Sequence, residues 1–227
     1  MSLKLYTGGT PNGYKIPIFL ELLKLKYETI PVNIGQNTQK EDWYLKMNPN
    51  GKIPTFVDET TDTTVSESAA ILTYLADKYD TERKYSYAPG TKEYIKMLEV
   101  TYFQMAGLGP MQGQANHFVK FAKEKIPYAM ERYSNETKRV YSVLDEFLKR
   151  NKEEYDSDFL VGPHLSIPDV LCIGWVPFLS FIEIDIKEFP NVFKWATKML
   201  EIPEVRKGFT IPNKPFAWND ALPPLDE

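Results

Sequence analysis

Three short segments early in the chain combine side chains able to hold a small charged peptide. Thr10-Pro11-Asn12-Gly13 lies between an alternating stretch and a helical one. An anion at such a junction meets backbone N–H groups and the positive end of the helix dipole. The Thr10 hydroxyl and the Asn12 amide can both donate to a thiolate placed there. In Asn48-Pro49-Asn50-Gly51-Lys52-Ile53-Pro54, a proline follows Ile53 at the start of a strand. A cis bond at that place would turn the Ile53 backbone outward, where its N–H and C=O could take a peptide as an added strand. Ser66-Glu67-Ser68-Ala69-Ala70-Ile71 opens a helix. Ser68 with its backbone N–H suits a carboxylate and Glu67 an ammonium, the two charged groups of an α-amino acid. Each segment also reads as plain local structure: a capped turn, an edge-strand proline, a helix N-cap with an acid in its first turn. Their order and spacing within one chain make them a candidate site.

Other chemistries find little support. With two histidines, His117 and His164, and one cysteine, a histidine-rich metal centre is excluded and no metal is expected. Cys172 lies in the apolar run Val170-Leu171-Cys172-Ile173 and reads as a buried small hydrophobe, which fits a reducing compartment. There is no P-loop, dinucleotide fingerprint or nucleophile elbow. A net charge of −4, from 31 acids and 27 bases, gives no field that would draw in nucleic acid or an anionic membrane. No apolar run approaches the ~20 residues needed to cross a bilayer, and no leading segment has the makeup of a secretory signal. The expected location is the cytoplasm.

The elements that would position these residues follow from periodicity. Over residues 1–80, Leu3–Thr7 alternates as a strand and Tyr14–Lys26 carries apolar residues at helical spacing, with Pro17 placed in its first turn. Glu28–Ile34 reads as a second strand and Glu41–Met47 as a short helix. Pro54–Asp58 and Thr63–Val65 form a hairpin, and Ser66–Tyr79 a helix. Tyr6, inside the first strand, is expected to pack structurally. This is an α/β unit with a small mixed sheet. A polar linker over 81–90 leads to an all-α part over 91–227. There, Lys92–Gln114 reads as one helix bent near Gly107–Pro110, with Tyr102, Phe103, Met105 and Met111 reading as core, or alternatively as the lining of a pocket. Pro127–Lys152 is a second long helix, and Ile167–Ile182 a central buried one that Pro177 kinks or ends. Two shorter helices, Phe189–Leu200 and Pro203–Gly208, precede a proline-rich, partly packed tail.

Strand, helix, strand, then "NPNGKIP" and "SESAAI" ahead of an all-helical half, resembles the cytosolic glutathione transferases up to about Gly208. Ser166-Ile167-Pro168-Asp169 is similar to their capping box, in which Asp169 bonds back to the Ser166 backbone. "TPNGYKI" and "MERYSNETKRVYSVL" resemble one branch, the bacterial Nu-class enzymes and the fungal proteins related to the yeast nitrogen-regulating prion protein. The resemblance implies a thioredoxin-like N-terminal domain, an all-α C-terminal domain and a homodimer. It implies glutathione as cosubstrate, with Asn12 and Thr10 at its sulfur and the Ile53 backbone, before a cis Pro54, against its cysteinyl unit. Glu67 and Ser68 would take the γ-glutamyl end, with Gln39 and Lys52 at the glycine carboxylate or the glutamyl group. Arg132 would reach glutathione across the dimer.

Glutathione chemistry needs the thiolate. No side chain in these segments is an obvious base, so electrostatic activation is expected. Asn12 is a weaker thiolate activator than a hydroxyl, which favours disulfide or peroxide reduction over conjugation of electrophiles. The alternative is a regulatory or ligand-sequestering protein that keeps the glutathione site without turnover.

Overall fold

The computed structural model describes residues 2–216 and 218–225. They form two compact units. One runs through Thr81 and takes back Glu201–Phe216; the other is Glu82–Leu200 with the tail beyond Phe216. The sequence groups Glu201–Phe216 with the helical part, whereas its contacts are with the first unit.

The first unit is built on a four-stranded sheet of order β2-β1-β3-β4, with β1 Leu3–Thr7, β2 Glu28–Pro31, β3 Thr55–Asp58 and β4 Thr63–Ser66. β1 and β2 run parallel, joined through helix α1, Pro11–Leu22; β3 runs antiparallel to both β1 and β4. Along β1, Leu3, Leu5 and Thr7 are buried and Tyr6 alternates to the other face. There it meets Trp43 and Tyr44 of α2, Asp42–Met47, at ring-centroid distances of 6.1 and 6.5 Å, which settles it as a packing residue. α3, Ser68–Tyr79, completes the unit beside α1. This is the thioredoxin-like domain that the resemblance implies.

α1 starts at Pro11, earlier than its apolar spacing suggests, so Pro17 is interior and not in the first turn. A proline there removes the N–H that would bond the carbonyl four residues back. That carbonyl belongs to Gly13, and the buried Thr7 hydroxyl donates to it at 2.9 Å. At its other end α1 closes at Leu22, and β2 stops at Pro31 instead of Ile34. α9, Pro203–Gly208, returns to lie against α1: a Cβ on Gly208 would come within 2.5 Å of the Ile18 backbone.

The helical unit holds α4 Lys92–Phe103, α5 Gly109–Asn116, α6 Pro127–Tyr155, α7 Ile167–Ile173 and α8 Pro190–Glu201. The stretch expected as one helix bent near Gly107–Pro110 carries a wide π-helical turn at Gln104–Leu108, just ahead of Pro110, which cannot supply an N–H, and beyond Gln114 a second such turn follows at His117–Phe121. Tyr102 departs from the expectation, being 65% exposed. The central run stops at Ile173, and Pro177 opens a 3₁₀ segment, Val176–Ile182. The Ser166–Asp169 capping box is present at the head of α7, and Cys172 is buried. No helix among the described residues is long and apolar enough to cross a membrane.

Candidate active site

Sheet register brings the three segments to one end of the first unit. Tyr6 of β1 pairs with Thr55 of β3, and Thr55 pairs with Ser66 of β4. The exit of β1, the entry of β3 and the exit of β4 therefore share an edge, where the Thr10 turn, the Ile53-Pro54 loop and the Glu67-Ser68 turn emerge.

At the Thr10 turn, Thr10 is the N-cap of α1 and its Oγ1 accepts the Gly13 N–H at 3.1 Å. Pro11 has no N–H to offer and that of Gly13 is committed, so fewer backbone donors face a ligand than the turn suggests. The side chains carry more of the task. Accepting from Gly13 leaves the Thr10 O–H proton to donate elsewhere, and Asn12, half-buried at the second helical position, brings an amide. Gly13 cannot change: a Cβ would fall 2.0 Å from the Gly8 carbonyl oxygen.

The second loop is fixed from beneath. The Ile53–Pro54 bond is cis. Tyr44 Oη donates to the Lys52 carbonyl at 2.8 Å and lies 2.9 Å from Thr55 Oγ1. Asn48 Nδ2 donates to the same two acceptors at 2.8 and 3.1 Å. Burial raises the Tyr44 phenol above its ordinary value, against hydrogen bonds from Thr55 and Asn48 that lower it, so it stays a donor. Gly51 is left-handed at φ 60°, and a Cβ on it would meet Lys40 Nζ at 2.8 Å and the Gln39 carbonyl at 3.0 Å. Gln39 thus flanks this loop, with its side-chain Oε1 buried and without a hydrogen-bond partner. Lys52 itself is exposed.

Glu67 has φ 73°, a left-handed conformation that costs a residue with a Cβ ~1–3 kcal/mol and that marks functional turns more often than others. Its carboxylate accepts from Asn50 Nδ2 at 3.5 Å, tying the second and third segments together. Ser68 follows, buried, as the first residue of α3, and Lys15 Nζ donates to its Oγ at 3.4 Å. Thr10, Asn12, Gln39, Lys52, Ile53, Pro54, Glu67 and Ser68 therefore all belong to one unit. Arg132 stands in the other, exposed on α6 beside Tyr128, Tyr133 and Asn135 in the wall of a surface groove of about 690 Å³.

Sequence reasoning missed Thr7, Lys15, Tyr44 and Asn48. The polar residues among apolar neighbours at 7 and 15 were the available signal. No group of three or more His, Cys, Asp or Glu is arranged to hold a metal among the described residues. His117 is exposed, with its ring against Phe118 at 5.1 Å.

Residues 1–77 match the glutathione S-transferase N-terminal domain and residues 109–203 the C-terminal domain, and the chain belongs to the glutathione S-transferase family. A crystal structure of a glutathione transferase homolog from Lodderomyces elongisporus, with two GSH per subunit, is 50% identical. Its TM-score is 0.90, over 93% of this chain and 99% of that one. The disulfide-bond oxidoreductase YfcG of Escherichia coli is 38% identical over 206 residues, 88% of this chain and 91% of its own. The nitrogen regulation fragment of the yeast prion protein Ure2p is 33% identical with a TM-score of 0.84, over 91% of this chain and 95% of that one.

Proposed function

We propose that this protein uses bound glutathione to reduce small disulfides or peroxides in the cytoplasm, as a homodimer, with weak conjugating activity toward electrophiles. The observation that carries the reading is the Thr10–Gly13 turn. Its cap arrangement leaves the Thr10 hydroxyl proton to be donated where a thiolate would sit, with the Asn12 side chain in the same turn. A free thiol ionises near pH ~8.5, and each unit of lowering takes about 1.4 kcal/mol. A hydrogen bond to a charged group supplies about 1.5–3 kcal/mol, enough for one to two units. The Ile53 backbone pairs with the cysteinyl unit, Glu67 and Ser68 hold the γ-glutamyl end, and Gln39 and Lys52 serve the glycine carboxylate or the glutamyl group. Arg132 contacts glutathione across the dimer.

In this scheme the glutathione thiolate attacks one sulfur of the substrate disulfide, giving a mixed disulfide and one substrate thiolate. A second glutathione thiolate then attacks the mixed disulfide at the glutathione sulfur, giving glutathione disulfide and the other substrate thiolate. The likeness to the Escherichia coli disulfide-bond oxidoreductase supports this class of reaction over conjugation. Asn12→Ala is expected to lower kcat/KM for 2-hydroxyethyl disulfide at least tenfold, by loss of one charged hydrogen bond. Unchanged turnover would remove Asn12 from the chemistry. The likeness to the Ure2p regulatory fragment supports a second reading, glutathione binding without catalysis. Tight glutathione binding with no turnover on any disulfide or peroxide would select it.

A further inference from the structure

Tyr44, Asn48 and Thr55 are buried together beneath the loop that presents Ile53, and their hydrogen bonds can be followed proton by proton. Asn48 Oδ1 accepts the Asn50 N–H at 3.1 Å, which turns the Nδ2 end of that amide toward the Lys52 carbonyl and Thr55 Oγ1, at 2.8 and 3.1 Å. A carbonyl only accepts, so the proton on the 2.8 Å contact between Lys52 O and Tyr44 Oη belongs to the tyrosine. A phenol has one proton. The 2.9 Å contact between Tyr44 Oη and Thr55 Oγ1 must then carry the proton of Thr55. The result is a ring with one direction at every bond. Thr55 donates to Tyr44, Tyr44 to the Lys52 carbonyl, and Asn48 to both that carbonyl and Thr55.

The Lys52–Ile53 peptide bond is trans, the cis bonds among the described residues being Ile53–Pro54 and Ile211–Pro212. In a planar trans unit the carbonyl and the N–H that follows it point in opposite senses. With the Lys52 carbonyl drawn into the ring, the Ile53 N–H is turned away from it, and no acceptor among the described residues takes that N–H. We propose, resting on the glutathione reading above, that Tyr44, Asn48 and Thr55 are positioning residues that aim the Ile53 N–H at the cysteinyl carbonyl of the bound tripeptide. They act through the Lys52–Ile53 peptide unit and do not touch the ligand. A single N–H can only donate, so the ligand group that feels their loss is a carbonyl, and not the thiol or the γ-glutamyl end.

The test is calorimetric titration of the full chain with glutathione, γ-glutamylcysteinamide and γ-glutamylcysteamine. The two shorter ligands share the γ-glutamyl group and the thiol, and differ by the carboxamide that holds the cysteinyl carbonyl. The wild type should bind the cysteinamide about fivefold more tightly than the cysteamine compound, as for one hydrogen bond. Tyr44→Phe removes a donor to the Lys52 carbonyl and the acceptor of the Thr55 proton. It should bring that preference close to unity with the cysteamine affinity unchanged, whereas a merely structural role would weaken both ligands alike. Thr55→Val should do the same at one remove, and Thr55→Ser, which keeps the hydroxyl, should retain the preference. Those two variants carry the comparison should Tyr44→Phe fail to fold. A folded Tyr44→Phe or Thr55→Val protein with the wild-type preference would overturn the proposal, as would a wild type that binds glutathione but gains nothing from the carboxamide. A wild type that binds none of the three would instead remove the glutathione reading beneath it.

Discussion

Each unit of the molecule buries a carboxylate, and the two ionise in opposite senses. Asp58 closes β3 in the first unit and Asp169 heads α7 in the second; neither is exposed. Asp58 accepts from Thr60 N and Oγ1 at 2.8 and 2.5 Å and from the Tyr74 and Tyr79 hydroxyls at 2.7 and 2.5 Å. Asp169 accepts from the Leu160 and Ser166 backbone N–H groups and Trp195 Nε1, each at 2.9 Å, and from Ser166 Oγ at 3.3 Å. Both are well supplied with donors. Only Asp58 also has a cation, Lys78 Nζ at 3.1 Å, among these partners. Burial alone would raise the Asp58 carboxyl, but Thr60, Tyr79, Tyr74 and Lys78 together hold it well below the usual range. At Asp169 burial prevails over its neutral donors and lifts the carboxyl to about 6. Neutral hydrogen bonds soften desolvation without cancelling it. The same rule bears on the candidate site, where a thiolate would rely on the neutral donors Thr10 and Asn12. Both are half-exposed, so the burial penalty that overrides the donors of Asp169 is reduced there.

The comparison can be broken most forcefully at Asp169. Asp169→Ala strands three buried N–H donors and should cost about 4 kcal/mol of unfolding free energy in urea at pH 7. A loss under about 1 kcal/mol would mean that the donors find other partners. A finer test uses pH. A carboxyl raised from 3.8 to about 6 stabilises the fold most fully below its unfolded value, and that contribution is lost as pH rises through about 6. The stability difference between wild type and Asp169→Asn should therefore fall by ~3 kcal/mol between pH ~4 and ~7 and then level off. Asp58 has the opposite sign: its contribution is present above the usual carboxylate range and lost as pH falls below it. Removing its cation with Lys78→Met should lower stability by less than Asp169→Ala does and move the Asp58 carboxyl upward, toward the behaviour of Asp169. NMR titration of Asp58 reads this directly, and a carboxyl that stays low would put the difference in the tyrosine hydroxyls instead.

Much of this was legible in the sequence, and the exceptions have physical causes. The Ser166–Asp169 box is local, so spacing alone reveals it, and the alternation of β1 places Leu3, Leu5 and Tyr6 correctly. The start of α1 was misread because Pro17 belongs at a helix start by propensity. What permits it inside is the hydroxyl of Thr7, a partner from the preceding strand that periodicity cannot supply. Lys15 was hidden for a similar reason: a partner, Ser68, stands fifty-three positions away. The edge shared by Thr10, Ile53 and Glu67 depends on strand register, and the backbone of Glu67 on a turn that no residue type announces.

The return of Glu201–Phe216 to the first unit has a consequence for how the protein is made. α1 is synthesised before the helical unit, yet the surface against which Ile18 and Tyr14 rest is supplied by Gly208, Phe209 and Asn213, which are synthesised after it. The helix that carries Thr10 at its cap and Asn12 thus waits, on the ribosome, for the whole of the intervening helical unit. Folding of that unit ahead of the helical one, which N-to-C order would otherwise favour, can go only part of the way until those residues emerge.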